Sequence, residues 1–391
     1  MSDSMSSGKI LPRRQAIPVL YTRGTHYEVG FDMGRTFGSM IKNFLIISLP
    51  LNETYLPLYC TPKGRQIYNE TLESVKCSFP QYVRELEGVA DGAEVEFHKL
   101  FLLHLEEILP QALKHQPRSK NQPTGCSSII VNQNHCRILG HTEDALTETL
   151  NHYYFVVAHV VNDKPQGKYN VKEEHFMSLC YAGTLPGYTM SHNQHGLVFS
   201  INTISAEVLR SAKTPRQFIT RALLATSNVD DAFRVLKDCG IGAANACSIN
   251  MTFLGDPRQM CYNIEMAPHP ERKNESFLSI KEIPLGAHNY HTNQFDRINM
   301  DQSNDLMIDS SISRMRTFST YKPPASEQDV RNMLGDDSDG CHCVWRENGS
   351  PDEEVKTIAV GIFDLNGKTF SLYSDNPSRT EPHCKLPLLY K

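Results

Sequence analysis

The hydrophobic rhythm of the chain changes about a third of the way along. Up to about residue 110 apolar residues recur at helical spacing, and beyond residue 125 they alternate at the period of a strand. His26–Ile46 carries Val29, Met33, Phe37 and Ile41 along one helical stripe. On the same helix Gly30, Gly34 and Gly38 stand four residues apart, leaving a bare face. That predicts close packing on a second helix, since each Gly otherwise costs about 1 kcal/mol relative to Ala. Arg65–Cys77, Gln81–Val89 and His98–Leu109 read as further helices, the last two divided by Ala90-Asp91-Gly92.

The strand pattern opens with Cys126–Val131 and Cys136–His141 around a turn at Asn132–His135. Tyr153–Val161 and Phe176–Ala182 follow, then a hairpin of Tyr188–Ser191 and Leu197–Asn202. A helix starting at Thr214-Pro215 and another over Asp230–Cys239 precede strands at Cys247–Phe253, Met260–Glu265, Phe277–Ile283 and His288–His291. Helices are expected over Asp309–Tyr321 and Glu327–Leu334. Thr357–Asp364 and Thr369–Tyr373, joined through Asn366-Gly367, carry a strong hairpin signal. Between the two regimes lies Lys114–Thr124, polar, with two prolines and no apolar period, which is linker composition. The expected class is α+β: a mainly helical segment 1–125 and a sheet-rich segment 126–391.

Composition narrows the function classes. A net charge of −5 with no basic stripe argues against a nucleic-acid partner. No apolar run approaches the roughly 20 residues of a membrane span, and Met1–Gln15 is polar with no leader-like apolar core. Eleven irregularly spaced cysteines then read as reduced thiols of a soluble, cytoplasmic protein. No Walker loop or dinucleotide fingerprint is present, so no cofactor is expected. Cys341-His342-Cys343 lacks a second ligand pair for zinc, and Asp336–Gly340 would place Gly335 and Arg346 at essential calcium positions, so no metal is expected either.

One dipeptide suggests chemistry. Cys126 directly follows Gly125 at the end of the linker and the head of a strand. Its thiol can attack the Gly125 carbonyl through a five-membered ring, exchanging the peptide bond for a thioester. Hydrolysis would free Cys126 as a new N-terminus whose α-amine serves as base to its own thiol. Taken alone, Gly-Cys is a common loop dipeptide. Hairpin arithmetic adds Asp144: a turn centred near residue 134 sets Cys126 opposite residue 142 and brings that carboxylate within reach. A surface or turn aspartate is the other reading.

The ordered set of motifs says more. Gly24…Gly30…Gly34, Glu85-Leu-Glu-Gly88-Val-Ala90-Asp-Gly92, Gly125-Cys126-Ser127, Gly140-His-Thr-Glu-Asp144, Ala182-Gly183…Gly187, Gly196–Asn202, His291-Thr292-Asn293 and Trp345-Arg346 run almost end to end. Together they resemble the acyl-coenzyme A:6-aminopenicillanic acid acyltransferase family of N-terminal nucleophile hydrolases. The resemblance implies an αββα sandwich and self-cleavage between Gly125 and Cys126, giving a heterodimer of 1–125 and 126–391. It implies Cys126 as nucleophile, Asp144 as the acid eighteen residues on, Asn293 as oxyanion donor and Arg346 as an arginine near the site's mouth. The family's Ser-Arg pair before the penultimate strand is missing from Asn348–Glu354, which argues against a penicillin-type substrate and a coenzyme A role. The members most resembled imply a small-molecule β-alanyl amine as substrate, N-β-alanyl-dopamine or β-alanyl-histamine, with Glu143 or Asp144 facing its ammonium. The competing readings are an acyltransferase of the same fold and an uncut binding protein.

Overall fold

The computed structural model describes residues 13, 16–114, 125–303, 305–347 and 355–390. Most of the expected linker, all of Asn348–Glu354 and nearly all of Met1–Gln15 lie outside the described residues. The chain opens with strand β1 (Val19–Gly24) and helix α1 (His26–Ile47). A π-helical turn (Pro50–Tyr55) leads into α2 (Leu56–Tyr59), α3 (Pro62–Ser78), α4 (Pro80–Ala93), α5 (Phe97–Leu103) and α6 (Ile108–Ala112). Past Gly125 come β2 (Gly125–Gln133), β3 (Cys136–Leu146), β4 (Tyr153–Val161), β5 (Glu173–Tyr181), β6 (Ser191–Asn193) and β7 (Leu197–Ile204). Helices α7 (Arg216–Leu223) and α8 (Val229–Lys237) precede β8 (Ala246–Phe253), β9 (Cys261–Pro268), β10 (Ser276–Ile283) and β11 (Ala287–His291). The chain finishes with α9 (Asp305–Thr320), α10 (Glu327–Leu334), β12 (Val355–Asp364), β13 (Thr369–Tyr373) and β14 (Cys384–Pro387).

The strands form two sheets, ordered β1-β4-β5-β6-β7-β8-β9-β10 and β11-β2-β3-β12-β13-β14. β1 runs parallel to β4, and the other pairs are antiparallel. Three apolar clusters fix the layers. Helices α1 to α8 pack on the first sheet. Phe155, Val157 and Leu179 of that sheet meet Ile130, Leu139 and Phe363 of the second. The outer face of the second sheet is covered through Phe318, Val330 and Leu334 of α9 and α10. The order is helix, sheet, sheet, helix, as the resemblance implies. All eleven cysteines are free thiols, and among the described residues no helix is long and apolar enough to cross a membrane.

The glycine stripe works from both sides. A Cβ on Gly30 or Gly34 would sit 1.9 or 2.2 Å from the backbone oxygen of Glu85 or Val89. Gly88 and Gly92 of α4 press on α1 in the same way, at 2.2 Å from Tyr27 O and Phe31 O. Gly38, by contrast, has ordinary contacts, the nearest at 3.5 Å. Here two expectations are corrected. Ala90-Asp91-Gly92 is not a break: α4 runs through it to Ala93, because Gly92 is there for close approach to α1. His98–Leu109 is two short helices rather than one, separated by a turn over 104–107.

Candidate active site

Cys126 lies where the two sheets touch. It is the second residue of β2, buried at 2% exposure, and its Sγ reaches Ile201 O of β7 at 3.4 Å. Asn202 of β7 donates through Nδ2 to Cys126 O at 3.0 Å. The β2–β3 hairpin turns tightly over Asn134-His135, so Cys126 pairs with Glu143 and Gly125 with Asp144. The expected register was therefore one residue short, because the turn is centred between Asn134 and His135 and not on residue 134.

Asn293 follows β11 and its side chain is fixed at both ends. Its Oδ1 accepts from Cys126 N–H at 2.9 Å and from Arg314 Nη2 at 2.8 Å. A guanidinium can only donate, so the atom facing Arg314 must be the amide oxygen. The amide nitrogen is thereby turned to Cys126 Sγ at 3.3 Å and to Thr203 O at 2.9 Å. Gly125 allows this closeness: a Cβ there would fall 2.8 Å from Asn293 Oδ1. Arg314 was not legible in the sequence. It projects from α9 to Cys126 O (2.7 Å) and Ser127 Oγ (2.9 Å), and the one sequence signal is its i, i+4 relation to the buried Ser310 on an otherwise mixed helix.

Asp144 is buried and accepts from Thr357 Oγ1 at 2.6 Å, while its Oδ2 has no hydrogen-bond partner. Burial pushes its pKa up, and the charges of Arg346 and Arg314 oppose that only in part. Arg346 donates its backbone N–H to Thr357 Oγ1 at 2.9 Å and its Nη2 to Ser310 Oγ at 2.5 Å. At 3% exposure it stands behind Asp144. The resemblance placed it near the mouth, and in the structure it is not among the residues lining the cavity.

A cavity of about 160 Å³ opens onto Cys126. One wall, with Phe44, Tyr55, Leu103 and Glu106, precedes Gly125 in sequence, and the other, with Glu143, Tyr181 and Tyr188, follows it. Glu143 is held by three partners: Tyr181 OH at 2.5 Å, Thr189 Oγ1 at 2.6 Å and His141 Nε2 at 2.9 Å. Sequence reasoning missed both hydroxyls. Glu106, also on the cavity, is instead ion-paired with Arg216. The Cys126 thiol is pushed up to about 12 by burial and then by Glu143, with the Asn293 amide opposing. A thiolate therefore needs a base beside it.

Among the described residues, Glu265, His291 and Asp296 are near enough to share a metal ion. Glu265 already accepts the backbone N–H groups of Asp296, Arg297 and Ile298 at 2.7, 3.2 and 2.8 Å, so it shapes the loop after Asn293 without an ion. Cys341 and His342 donate their N–H groups to Asp339 in a turn.

A family model described as acyl-coenzyme A:6-aminopenicillanic acid acyl-transferase matches residues 131–379. The beta-alanyl-dopamine/carcinine hydrolase of Drosophila melanogaster is 86% identical over 387 residues, 99% of this chain and all of its own. Two solved structures of conjugated bile acid hydrolase from Clostridium perfringens, each a single-residue variant, are 10% and 11% identical with TM-scores of 0.37 and 0.35. Each covers 66% of this chain and 95% of its own. Matched by that model through most of both sheets and by a relative along its whole length, the chain belongs to the acyl-coenzyme A:6-aminopenicillanic acid acyl-transferase family.

Proposed function

We propose that the protein is a self-processing cysteine amidohydrolase that releases β-alanine from N-β-alanyl-dopamine and from β-alanyl-histamine (carcinine). The observation that carries this is the Asn293 amide, turned by Arg314 so that its N–H faces Cys126 Sγ beside an open cavity. The near-identical Drosophila relative, which bears the name of a hydrolase for these two conjugates, supplies the substrate class.

In the uncut chain Sγ attacks the Gly125 carbonyl. The C–N bond breaks, the nitrogen becomes the Cys126 α-amine, and water hydrolyses the thioester to leave fragments 1–125 and 126–391. In turnover that amine takes the thiol proton, which the buried thiol does not release unaided. Sγ then adds to the substrate carbonyl, and one Asn293 N–H meets the oxyanion while Thr203 O keeps the other. Such a donor is worth about 3–4 kcal/mol in the transition state. The α-ammonium protonates the departing amine, and water releases β-alanine from the thioester.

The ammonium of the β-alanyl group lies two methylenes beyond that carbonyl. Glu143, paired with Cys126 across β2 and β3, shares its face of the sheet at a Cβ separation of about 5 Å. Its partners are two hydroxyls and an imidazole. Asp144 faces two arginines, Glu106 pairs with Arg216 and Glu148 accepts from Leu49 N–H at 3.4 Å, so Glu143, on the face of Cys126, is the receptor. Tyr55, Tyr181 and Tyr188 supply flat walls that take catechol or imidazole alike.

A competition assay tests this. Both β-alanyl conjugates should be hydrolysed, with N-acetyl-dopamine disfavoured by at least roughly tenfold in kcat/KM, because it leaves a buried carboxylate without its cation. Glu143→Gln should narrow that gap. Equal rates on N-acetyl-dopamine in the wild type would reduce the protein to a general thiol amidase.

A further inference from the structure

A second cavity, of about 400 Å³, opens on another part of the molecule, between Ala112 at the end of α6, the loops after β7 and β9, and Ile241 and Ala243 after α8. Its charged lining is lopsided: Arg210, Lys213, His269, Arg272 and Lys273 against one carboxylate, Glu275. That carboxylate is shared by Lys237 at 3.1 Å, from outside the cavity, and His269 at 3.9 Å, and Lys273 pairs with Glu271 at 2.9 Å. Arg210 Nε is buried with no hydrogen-bond partner, and its Nη1 makes one long bond to Leu209 O at 3.4 Å. Lys213 spends its donors on neutral oxygens, Ile241 O at 2.6 Å and Asn274 Oδ1 at 2.7 Å. In a chain of net charge −5 this is a concentration of positive charge without its counter-charge.

The cations also crowd one another. Burial and the charge of Arg272 draw Arg210 below its usual pKa. Burial lowers Lys213 too, with Asp238 opposing and Arg210 adding to the fall. Both loops hold a residue other than glycine in the left-handed region, Ala212 and Arg272, each at φ 56°. Such conformations are costly for residues with a side chain and persist where surroundings enforce them. Arg210 as a whole is only partly buried, but its Nε N–H, shut off from water without an acceptor, is likewise costly.

We propose that this cavity binds a small phosphate-bearing anion, with Arg210 and Arg272 donating to its oxygens and Lys213 and Lys273 acting as point charges. The planar fork of a guanidinium fits phosphate geometry, and the ammonium groups add charge without fixed direction. The phosphates could be those of a free diphosphate or of a nucleotide. Isothermal titration calorimetry on the full protein, with pyrophosphate and ADP in parallel at low ionic strength, reads the site independently of amide hydrolysis.

One-to-one saturable binding is expected, weakened at least about tenfold in Arg210→Gln and in Arg272→Gln and reduced by added salt. Amide hydrolysis should be unchanged in both, since neither residue lines the active-site cavity. Equal affinity for the two probes would mean that the phosphates alone are read, and tighter ADP binding that a nucleoside is read as well. Arg272 is exposed, so its variant decides the matter even if Arg210→Gln misfolds. Absence of saturation at millimolar pyrophosphate, or equal binding by wild type and Arg272→Gln, would overturn the proposal.

Discussion

Two of the buried polar clusters among the described residues are built on opposite plans. One joins His26 of α1 and Glu85 of α4 to Glu174 of β5 and Arg221 of α7. Arg221 forks onto Glu85 at 2.9 and 2.7 Å and reaches Glu174 at 2.6 Å. His26 bridges the two carboxylates at 2.7 and 3.4 Å. Burial works against every charge there, yet Arg221 and His26 hold Glu174 down to about 2, and the carboxylates raise His26. The other cluster is the candidate active site, where burial prevails. The Cys126 thiol is pushed up to about 12, Asp144 is raised, and Arg314 is drawn down to about 10. In the first cluster the charged forms are matched and satisfied. In the second they are destabilised, which leaves protons to be moved. The first cluster also spans the proposed cut, since 26 and 85 precede Gly125 and 174 and 221 follow it.

The sharpest way to break the contrast is at the thiol. Cys126→Ala should abolish turnover and leave one uncut band near 44 kDa on denaturing electrophoresis. Normal processing of that variant would assign the cut to a separate protease. Glu174→Gln tests the other side: removing one partner of a buried ion pair typically costs about 3–5 kcal/mol. Its melting temperature should fall clearly while activity per folded molecule is kept, and a selective loss of activity would contradict a structural role. Asn293→Ala removes the amide donor at Cys126 Sγ together with the oxygen that accepts from Cys126 N–H and Arg314. It should fold and lose roughly two to three orders of magnitude in turnover; a rate within about threefold of wild type would place the oxyanion donors elsewhere.

The mildest probe is acid. The folded-state pKa of Glu174, about 2, lies below its ordinary value of 4.5, so its contribution to stability is full above 4.5 and is lost as pH falls toward 2. His26 has the opposite sign: raised above 6.5, it contributes fully below that value and loses its contribution as pH climbs through its raised pKa. Melting curves across both windows should show decline at each end, both reduced in Glu174→Gln.

What could be read from sequence follows from how local each signal is. Amphipathic α1 and the hairpin β12–β13 declare themselves within a few residues through period and turn chemistry. The short β1 and β14 do not: Val19–Gly24 owes its strand to pairing with Phe155–Val160, far along the chain. Gly92 looked like a break because its reason, the backbone of Phe31, lies on another helix. At the site, Cys126 and Asn293 sit in recognisable motifs, and Asp144 was within one residue of its predicted register. Arg314, Tyr181 and Thr189 reach the centre only because α9, β5 and the segment before β6 converge on it. No spacing rule along the chain could announce them.

The shared walls of the cavity have a last consequence. If the chain is cut after Gly125, Phe44, Tyr55, Leu103 and Glu106 belong to one polypeptide and Glu143, Tyr181 and Tyr188 to another. The catalyst is then an assembly, and under conditions that loosen the His26–Glu85–Arg221–Glu174 clasp its activity acquires a concentration dependence. Dilution would inactivate it without any change at the nucleophile, and an excess of the shorter fragment would restore it by mass action. Half of the substrate's surroundings would be a replaceable part.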